Sequence, residues 1–165
     1  MRNCADLGDQ GRWVVNELLD EVVHLQTQLH RVEAKLEELT ADDPFAQQLR
    51  SYSGVGLITA VTLRAELGTM SRFRSGKQLS RFCALTPRNA SSGNQVADAG
   101  VIQAGNRELR RVLIETAHRL MRCDERWAKL GASLKARGKP GSVAAVAVAN
   151  RWVRWLYHQL LPLAV

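Results

Sequence analysis

From Val15 to Leu39 apolar residues recur at alternating three- and four-residue intervals, as Val15, Leu18, Val22, Leu25, Leu29, Val32, Leu36 and Leu39. This alternation keeps one narrow apolar seam on a single side of a helix, and no Gly or Pro interrupts it between Arg12 and Thr40. With Val15, Val22, Leu29 and Leu36 at heptad a and the others at d, the pattern predicts a helix of about 28 residues, on the order of 40 Å long. The helix should end near Asp42-Asp43-Pro44, where proline removes a donor and clashes with the preceding turn. A seam this narrow cannot bury itself. Its cover is either a second copy of the chain, as a coiled coil, or the late apolar stretch of the same chain near Val143 to Leu161. The strictly apolar a/d positions favour a homodimer.

Charge divides the chain at about the same place. Residues 1–50 carry 10 acidic and 5 basic side chains, whereas residues 51–165 carry 18 basic and 6 acidic ones, giving a net charge of +7. An acidic front and a basic rear fit a dimerising or spacer element joined to a polyanion-binding module, because clustered Lys and Arg displace counterions from phosphates. A merely solvated surface has the same composition, so motifs must decide between them. With 165 residues, 45% hydrophobic and 24% charged, the chain can bury a real core and has neither signature of disorder. The longest apolar stretch, Val143 to Ala149, is too short to span a bilayer, and the N-terminus lacks a signal-peptide layout. The expected location is therefore the cytoplasm, with no membrane partner.

The expected domains are a tail and coiled-coil helix over residues 1–43 and an all-α domain over 44–165. Within the second, Phe45 to Tyr52 reads as a short helix, Gly54-Val55-Gly56 as a tight turn, and Ile58 to Leu67 as a helix spaced through Ile58, Val61, Thr62 and Ala65 and closed by Gly68. That layout is a helix-hairpin-helix. A short helix follows over Ser75 to Phe82, with Leu79 and Phe82 inward, and then a turn-rich loop from Leu85 to Asn94. Helices are expected from Asn106 to Arg122 and from Ser142 to Leu161, separated by Gly138-Lys139-Pro140-Gly141. A single short β-hairpin around Val96 to Ile102 is compatible with the pattern.

Three stretches can carry chemistry. In the first, Gly54, Val55 and Gly56 allow a close backbone approach, so the amides opening the next helix can face a phosphate; the same turn can equally serve packing alone. Arg72, Arg74 and Lys77 follow downstream, and Arg72 and Arg74 flank Phe73 as a basic-aromatic strip along the same groove. The second stretch is the loop holding Ser91, Ser92 and Gly93. A serine hydroxyl can attack a phosphodiester if it is exposed and assisted by cations such as Arg88, Arg107, Arg110 and Arg111, although Asn-Ala-Ser-Ser-Gly-Asn is also the composition of an ordinary surface turn. In the third, Asn106 caps a helix whose Arg107, Arg110 and Arg111 share one side, opposite Leu109, Val112, Leu113 and Thr116. The histidines and the cysteines Cys4, Cys83 and Cys123 are scattered. Carboxylates beyond residue 50 are few, so no metal or cofactor is expected in this chain.

The order Gly54-Val55-Gly56-Leu57-Ile58-Thr59-Ala60, Leu67-Gly68, Arg72-Phe73-Arg74-Ser75-Gly76-Lys77-Gln78-Leu79, Leu85-Thr86-Pro87-Arg88, Ser91-Ser92-Gly93 and Gly105-Asn106-Arg107-Glu108-Leu109-Arg110-Arg111 resembles one known family. It is similar to the C-terminal transposase domain of the insertion-sequence DEDD transposases, the group of the Piv- and MooV-type DNA invertases. The resemblance implies a coiled coil that dimerises, DNA as substrate, a bridge RNA as guide, and a serine that attacks DNA. In the family motif that serine directly precedes the glycine, which points to Ser92, with Ser91 as the second candidate. A RuvC-like domain supplies four acidic metal ligands in the family, and Asp6 and Asp9 do not match that motif. Mg²⁺ is therefore expected only together with such a domain, and this chain alone should bind without turnover. The stretch with Gln95, Ala97, Gln103 and Ala104 is poorer in Lys and Arg than the family pattern, which should weaken backbone contacts there. The competing expectation is a non-catalytic helix-hairpin-helix nucleic-acid-binding protein or dimeric scaffold.

Overall fold

The heptad segment forms one helix, α1 (Asp9–Thr40), 32 residues long and opened by Asp9. It ends four residues before Pro44, where the proline should stop it. None of its residues is buried: Val15 is 39% exposed, Leu25 51% and Leu29 61%. The computed structural model describes residues 8–89, 98–101 and 105–163, and divides the chain into two units, Met1–Leu39 and Thr40–Val165.

The second unit contains α2 (Pro44–Arg50), α3 (Leu57–Leu67), a 3-10 turn (Met70–Arg72), α4 (Gly76–Phe82), β1 (Pro87–Asn89), β2 (Asp98–Val101), α5 (Arg107–Cys123), α6 (Glu125–Ala136), α7 (Gly141–Leu160) and a closing 3-10 turn (Leu161–Leu163). The fold is all-α apart from one small antiparallel ladder, in which Pro87 faces Val101 and Asn89 faces Asp98 across an irregular register. The ladder differs from the hairpin expected within Val96 to Ile102. Its first strand comes from the stretch read as loop, because pairing with β2 satisfies backbone groups that local propensity left unassigned.

Helix α6 has no counterpart in the sequence expectation. Asp124 caps it, its side chain accepting from the amides of Arg126 at 2.9 Å and Trp127 at 3.3 Å. Only Trp127 and Gly131 of this helix are buried, so its apolar stripe is sparse. Gly131, which in sequence reads as a breaker, lies against Met121 of α5.

The core is built around α7. Helices α4, α5 and α6 all pack on it, α3 packs on α5, and α2 on α3. Trp152, Leu156 and Leu160 of α7 are fully buried, as are Leu63 and Leu67 of α3, Leu79 of α4, and Leu109, Leu113 and Leu120 of α5. The buried stripe of α5 is the expected one. In α3 the core side holds Thr59, Ala60, Leu63 and Leu67, while Ile58 is 49% exposed and Ala65 is exposed, so the inward face lies one position on from the expected spacing. Of the two inward residues expected in α4, Leu79 is buried and Phe82 half-buried.

Polar ties fix how these helices meet. Asn150 of α7 donates to the Ser80 hydroxyl at 2.7 Å and to the Leu85 carbonyl at 2.9 Å, and the Tyr157 hydroxyl donates to the Phe73 carbonyl at 2.9 Å. The entry to α5 is fixed by Gly105 (φ 139°), where a Cβ would stand 2.8 Å from that of Ala84; the next amide, of Asn106, bonds the Phe82 carbonyl at 3.0 Å. Among the described residues no helix is long and apolar enough to cross a membrane. Burial pushes the Cys83 thiol up to about 12, so it stays protonated and packs as a small apolar group.

Replacing Asn150 by Ala leaves the Leu85 carbonyl without this donor in a part-buried setting. The expected cost is about 1–3 kcal/mol, seen as a lower urea midpoint with an unchanged slope; an unaltered midpoint would show that water substitutes fully for the amide.

Candidate nucleic-acid interface

The α2–α3 hairpin is clamped at its base. The Asp43 carboxylate accepts from the Phe45 amide at 2.9 Å, capping α2, and also receives the Nε–H of Arg64 from α3. Arg64 donates further to the Gly68 carbonyl at 3.1 Å and lies over the Phe45 ring at 5.3 Å. Burial pushes the Asp43 carboxyl up, but the Arg64 bond and charge and the amides of Phe45 and Ala46 together outweigh it and hold the group below its ordinary value of 3.8.

At the tip, the two glycines do different work. Gly54 takes φ 81° and presses on α5, where a Cβ would meet Arg119 Cβ and Leu120 N at 3.4 Å, and Val55 is buried. These two residues serve packing. Gly56 is exposed and begins α3 without a side-chain cap, with the Arg119 guanidinium close by: an added Cβ would stand 3.8 Å from its Nη1. An uncapped helix start beside a guanidinium presents amides and positive charge to an anion. Arg119 was not singled out in sequence; its only trace there is its place one turn beyond Glu115 on the ridge of Arg111.

Arg72, Arg74 and Lys77 lie elsewhere. Arg72 is at the far end of α3, donating to the Leu67 carbonyl at 3.4 Å and stacked over Phe73 at 5.0 Å and Phe82 at 4.8 Å. Since α3 is about 16 Å long, this strip and the hairpin tip stand at opposite ends of that helix. Phe73 is buried, so the aromatic member of the strip belongs to the core. Arg74 and Lys77 are exposed.

The start of α5 gathers the expected arginines. Asn106 caps it, accepting from the Leu109 amide at 3.0 Å, while its amide nitrogen donates to Glu66. Both ends of that side chain are thus committed to structure. Arg107, Arg110 and Arg111, with Glu108 and Ile114, line a cleft of about 360 Å³. Arg111 is paired on the same helix with Glu108 at 3.1 Å and Glu115 at 3.3 Å, and their bonds and charges raise its pKa further. Arg110 differs: its Nη1 is buried and has no hydrogen-bond partner among the described residues. An orphaned guanidinium N–H in a cationic cleft suits an anionic oxygen. This cleft and the hairpin tip lie on the same helix, and Arg107 and Arg119 are separated by about 18 Å of helix axis.

Arg88 stands in β1, which pairs with β2 to draw together the ends of the connecting segment. Ser91 and Ser92 lie outside the described residues. Among the described residues no three His, Cys, Asp or Glu side chains converge as metal ligands.

Comparison with known proteins identifies the family. The family model for the transposase IS116/IS110/IS902 family matches residues 46–132, which run from α2 through most of α6. The chain is 32% identical over 152 residues to a probable family 20 transposase of Pseudomonas aeruginosa, covering 89% of this chain and 44% of that protein. It is 31% identical over 147 residues to the transposase for insertion sequence element IS1111A of Coxiella burnetii, covering 86% and 40%. With the transposase for insertion sequence element IS1328 of Yersinia enterocolitica it shares 30% over 134 residues, covering 79% and 40%. The chain therefore belongs to the IS116/IS110/IS902 transposase family. It spans less than half the length of these curated relatives.

The Asp43 clamp makes a pH prediction. Folded Asp43 holds its proton less tightly than the unfolded chain does, so its contribution is complete above about pH 4 and drains away as pH falls through the lowered value. Asp43→Asn should flatten the acid limb of a stability-against-pH curve. An unchanged limb would mean that the clamp carries no linked stability.

Proposed function

We propose that this chain acts as the C-terminal part of an insertion-sequence transposase of the DEDD type, binding DNA along α5 and placing Ser92 for strand cleavage. The observation that carries the reading is the cleft at the start of α5, where Arg110 keeps a buried N–H without a partner among the described residues, beside Arg107 and Arg111. In this reading phosphate oxygens complete that cleft, and the uncapped start of α3 with Arg119 supplies a second backbone contact, as in a helix-hairpin-helix. Both contacts are independent of sequence.

Strand cleavage follows from the family resemblance. The Ser92 hydroxyl would attack phosphorus, give up its proton and displace a sugar hydroxyl, with nearby arginines stabilising the added negative charge. Ser91 is the second candidate. Mg²⁺ would be held by the acidic RuvC-like domain characteristic of such transposases. A bridge RNA that selects the target, and a cytoplasmic location, belong to the same proposal. So does dimerisation through α1, whose seam is exposed from Val15 to Val32 and at Leu39, with Leu36 half-buried.

Binding to duplex DNA should weaken steeply with salt, losing about 0.9 in logarithmic slope per phosphate neutralised. Arg110→Ala should reduce both affinity and slope, and salt-independent or absent binding would refute the nucleic-acid reading. With Mg²⁺ the isolated chain should bind without cutting; cleavage lost in Ser92→Ala would overturn that claim and confirm the serine. Leu25→Lys and Leu29→Lys should each give monomers in sedimentation, and an unchanged mass would remove the coiled coil.

A further inference from the structure

On the side of α7 away from the core, a second basic surface has formed that the transposase reading does not use. Trp152, Val153, Leu156, Tyr157 and Leu160 turn inward, and the intervening positions Arg151, Arg154 and His158 are exposed. These three recur at intervals of three and four, which places their side chains on one ridge, about 5–6 Å apart at Cβ. The ridge forms one wall of an open cleft of about 550 Å³, and Arg126 and Trp127 of α6 contribute to the other.

The floor is aromatic. Trp155 is half-buried, with Trp127 edge-on at 6.3 Å and Tyr52 edge-on at 5.1 Å. The Arg126 guanidinium lies 4.8 Å from the centre of the Trp127 ring and 5.7 Å from that of Trp155. Indole faces and guanidinium planes are the surfaces on which unpaired bases stack, whereas a base inside a duplex has no free face to offer.

Charge supports the same occupant. Arg64 and Arg111 are neutralised by carboxylates, but no carboxylate among the described residues pairs with Arg126, Arg151 or Arg154. The nearest acidic residue in sequence, Glu125, is bound to Lys129 at 2.6 Å. The cleft thus joins a stacking platform to a row of unneutralised cations, the combination that holds a single strand by its bases and its backbone together.

We propose that the α6–α7 cleft binds an unpaired nucleic-acid strand, one base stacking on Trp155 and the Arg126 plane while adjoining phosphates meet Arg151 and Arg154. The inference rests on the nucleic-acid reading above and adds to it a separate single-strand site.

The test is fluorescence anisotropy with labelled oligo-dT of about 12 nucleotides, oligo-U of the same length, and a duplex of the same length. The double variant Arg151→Ala/Arg154→Ala alters exposed side chains and should keep the native circular dichroism. It should lose about tenfold in single-strand affinity and about 1.4 in salt slope, at 0.7 per phosphate, with duplex affinity kept within about twofold. Trp155→Leu should weaken single-strand binding with the salt slope unchanged, and Arg126→Ala, which removes an exposed side chain from the same platform, should weaken it as well. Tighter binding of oligo-U than oligo-dT assigns the strand as RNA, and the reverse assigns it as DNA.

Unchanged single-strand binding in the double variant overturns the proposal while leaving duplex binding along α5 intact. Equal losses for single strand and duplex also overturn it, since the cleft would then add only general charge. Displacement of oligo-dT by poly-glutamate at equal charge concentration would reassign the cleft to an acidic protein partner. If the wild-type chain binds neither single strand nor duplex at any salt concentration, both readings fail together.

Discussion

Burial of one side of α7 is the constraint on which the second unit depends. Removing Trp152, Leu156 and Leu160 from water supplies a large apolar surface at a single helix, and α4, α5 and α6 each find their place by covering part of it. Hydrophobic burial has no direction, so the register is set by polar atoms: Asn150 ties α7 to Ser80 and Leu85, and Tyr157 ties it to Phe73. The same geometry settles the outer side. Once Trp152, Val153, Leu156 and Tyr157 point inward, Arg151, Arg154 and His158 must point outward, so the cationic ridge is a consequence of how the core helix is packed.

Much of this architecture was legible in the sequence wherever a period and a stop signal coincided. The seam from Val15 to Leu39 followed by Pro44 yielded α1, and the Asn106 cap followed by Leu109, Val112, Leu113 and Thr116 yielded α5 with its buried stripe. Helix α3 gave its extent but not its inward face. Leu57, Ile58, Ala60, Val61 and Leu63 are apolar on nearly every side, so periodicity could not distinguish Ile58 from its neighbours, and contact with α5 made the choice. Helix α6 escaped because Trp127 and Gly131 are its only buried residues, and a glycine inside a helix is read as an interruption unless its neighbour, here Met121, is known.

The candidate interface was less legible, for a different reason. Composition located the arginines, but what each one does depends on partners distant in sequence. Arg72 is occupied by Phe73 and Phe82, Arg111 by two glutamates, and Arg110 keeps a buried N–H unmatched among the described residues. Similarly, Gly54 and Gly56 are two residues apart yet separate into a packing contact and an open helix start, a distinction created by α5 lying against the turn. Arg126 and Arg154 meet across a cleft although 28 positions separate them, and no local pattern encodes that meeting.

The ladder between β1 and β2 bears on how the chain is closed between α4 and α5. Asn89 and Asp98 are held opposite one another, and further along the chain Gly105 and the Asn106 amide are anchored at Phe82 and Ala84. The ladder therefore sets where the chain leaves β1 and where it re-enters at β2, and it does so with residues that all lie outside positions 90–97. Closing a loop of doubled length costs only about 0.6 kcal/mol more, so holding two such ends together is a modest demand on a pairing of this size.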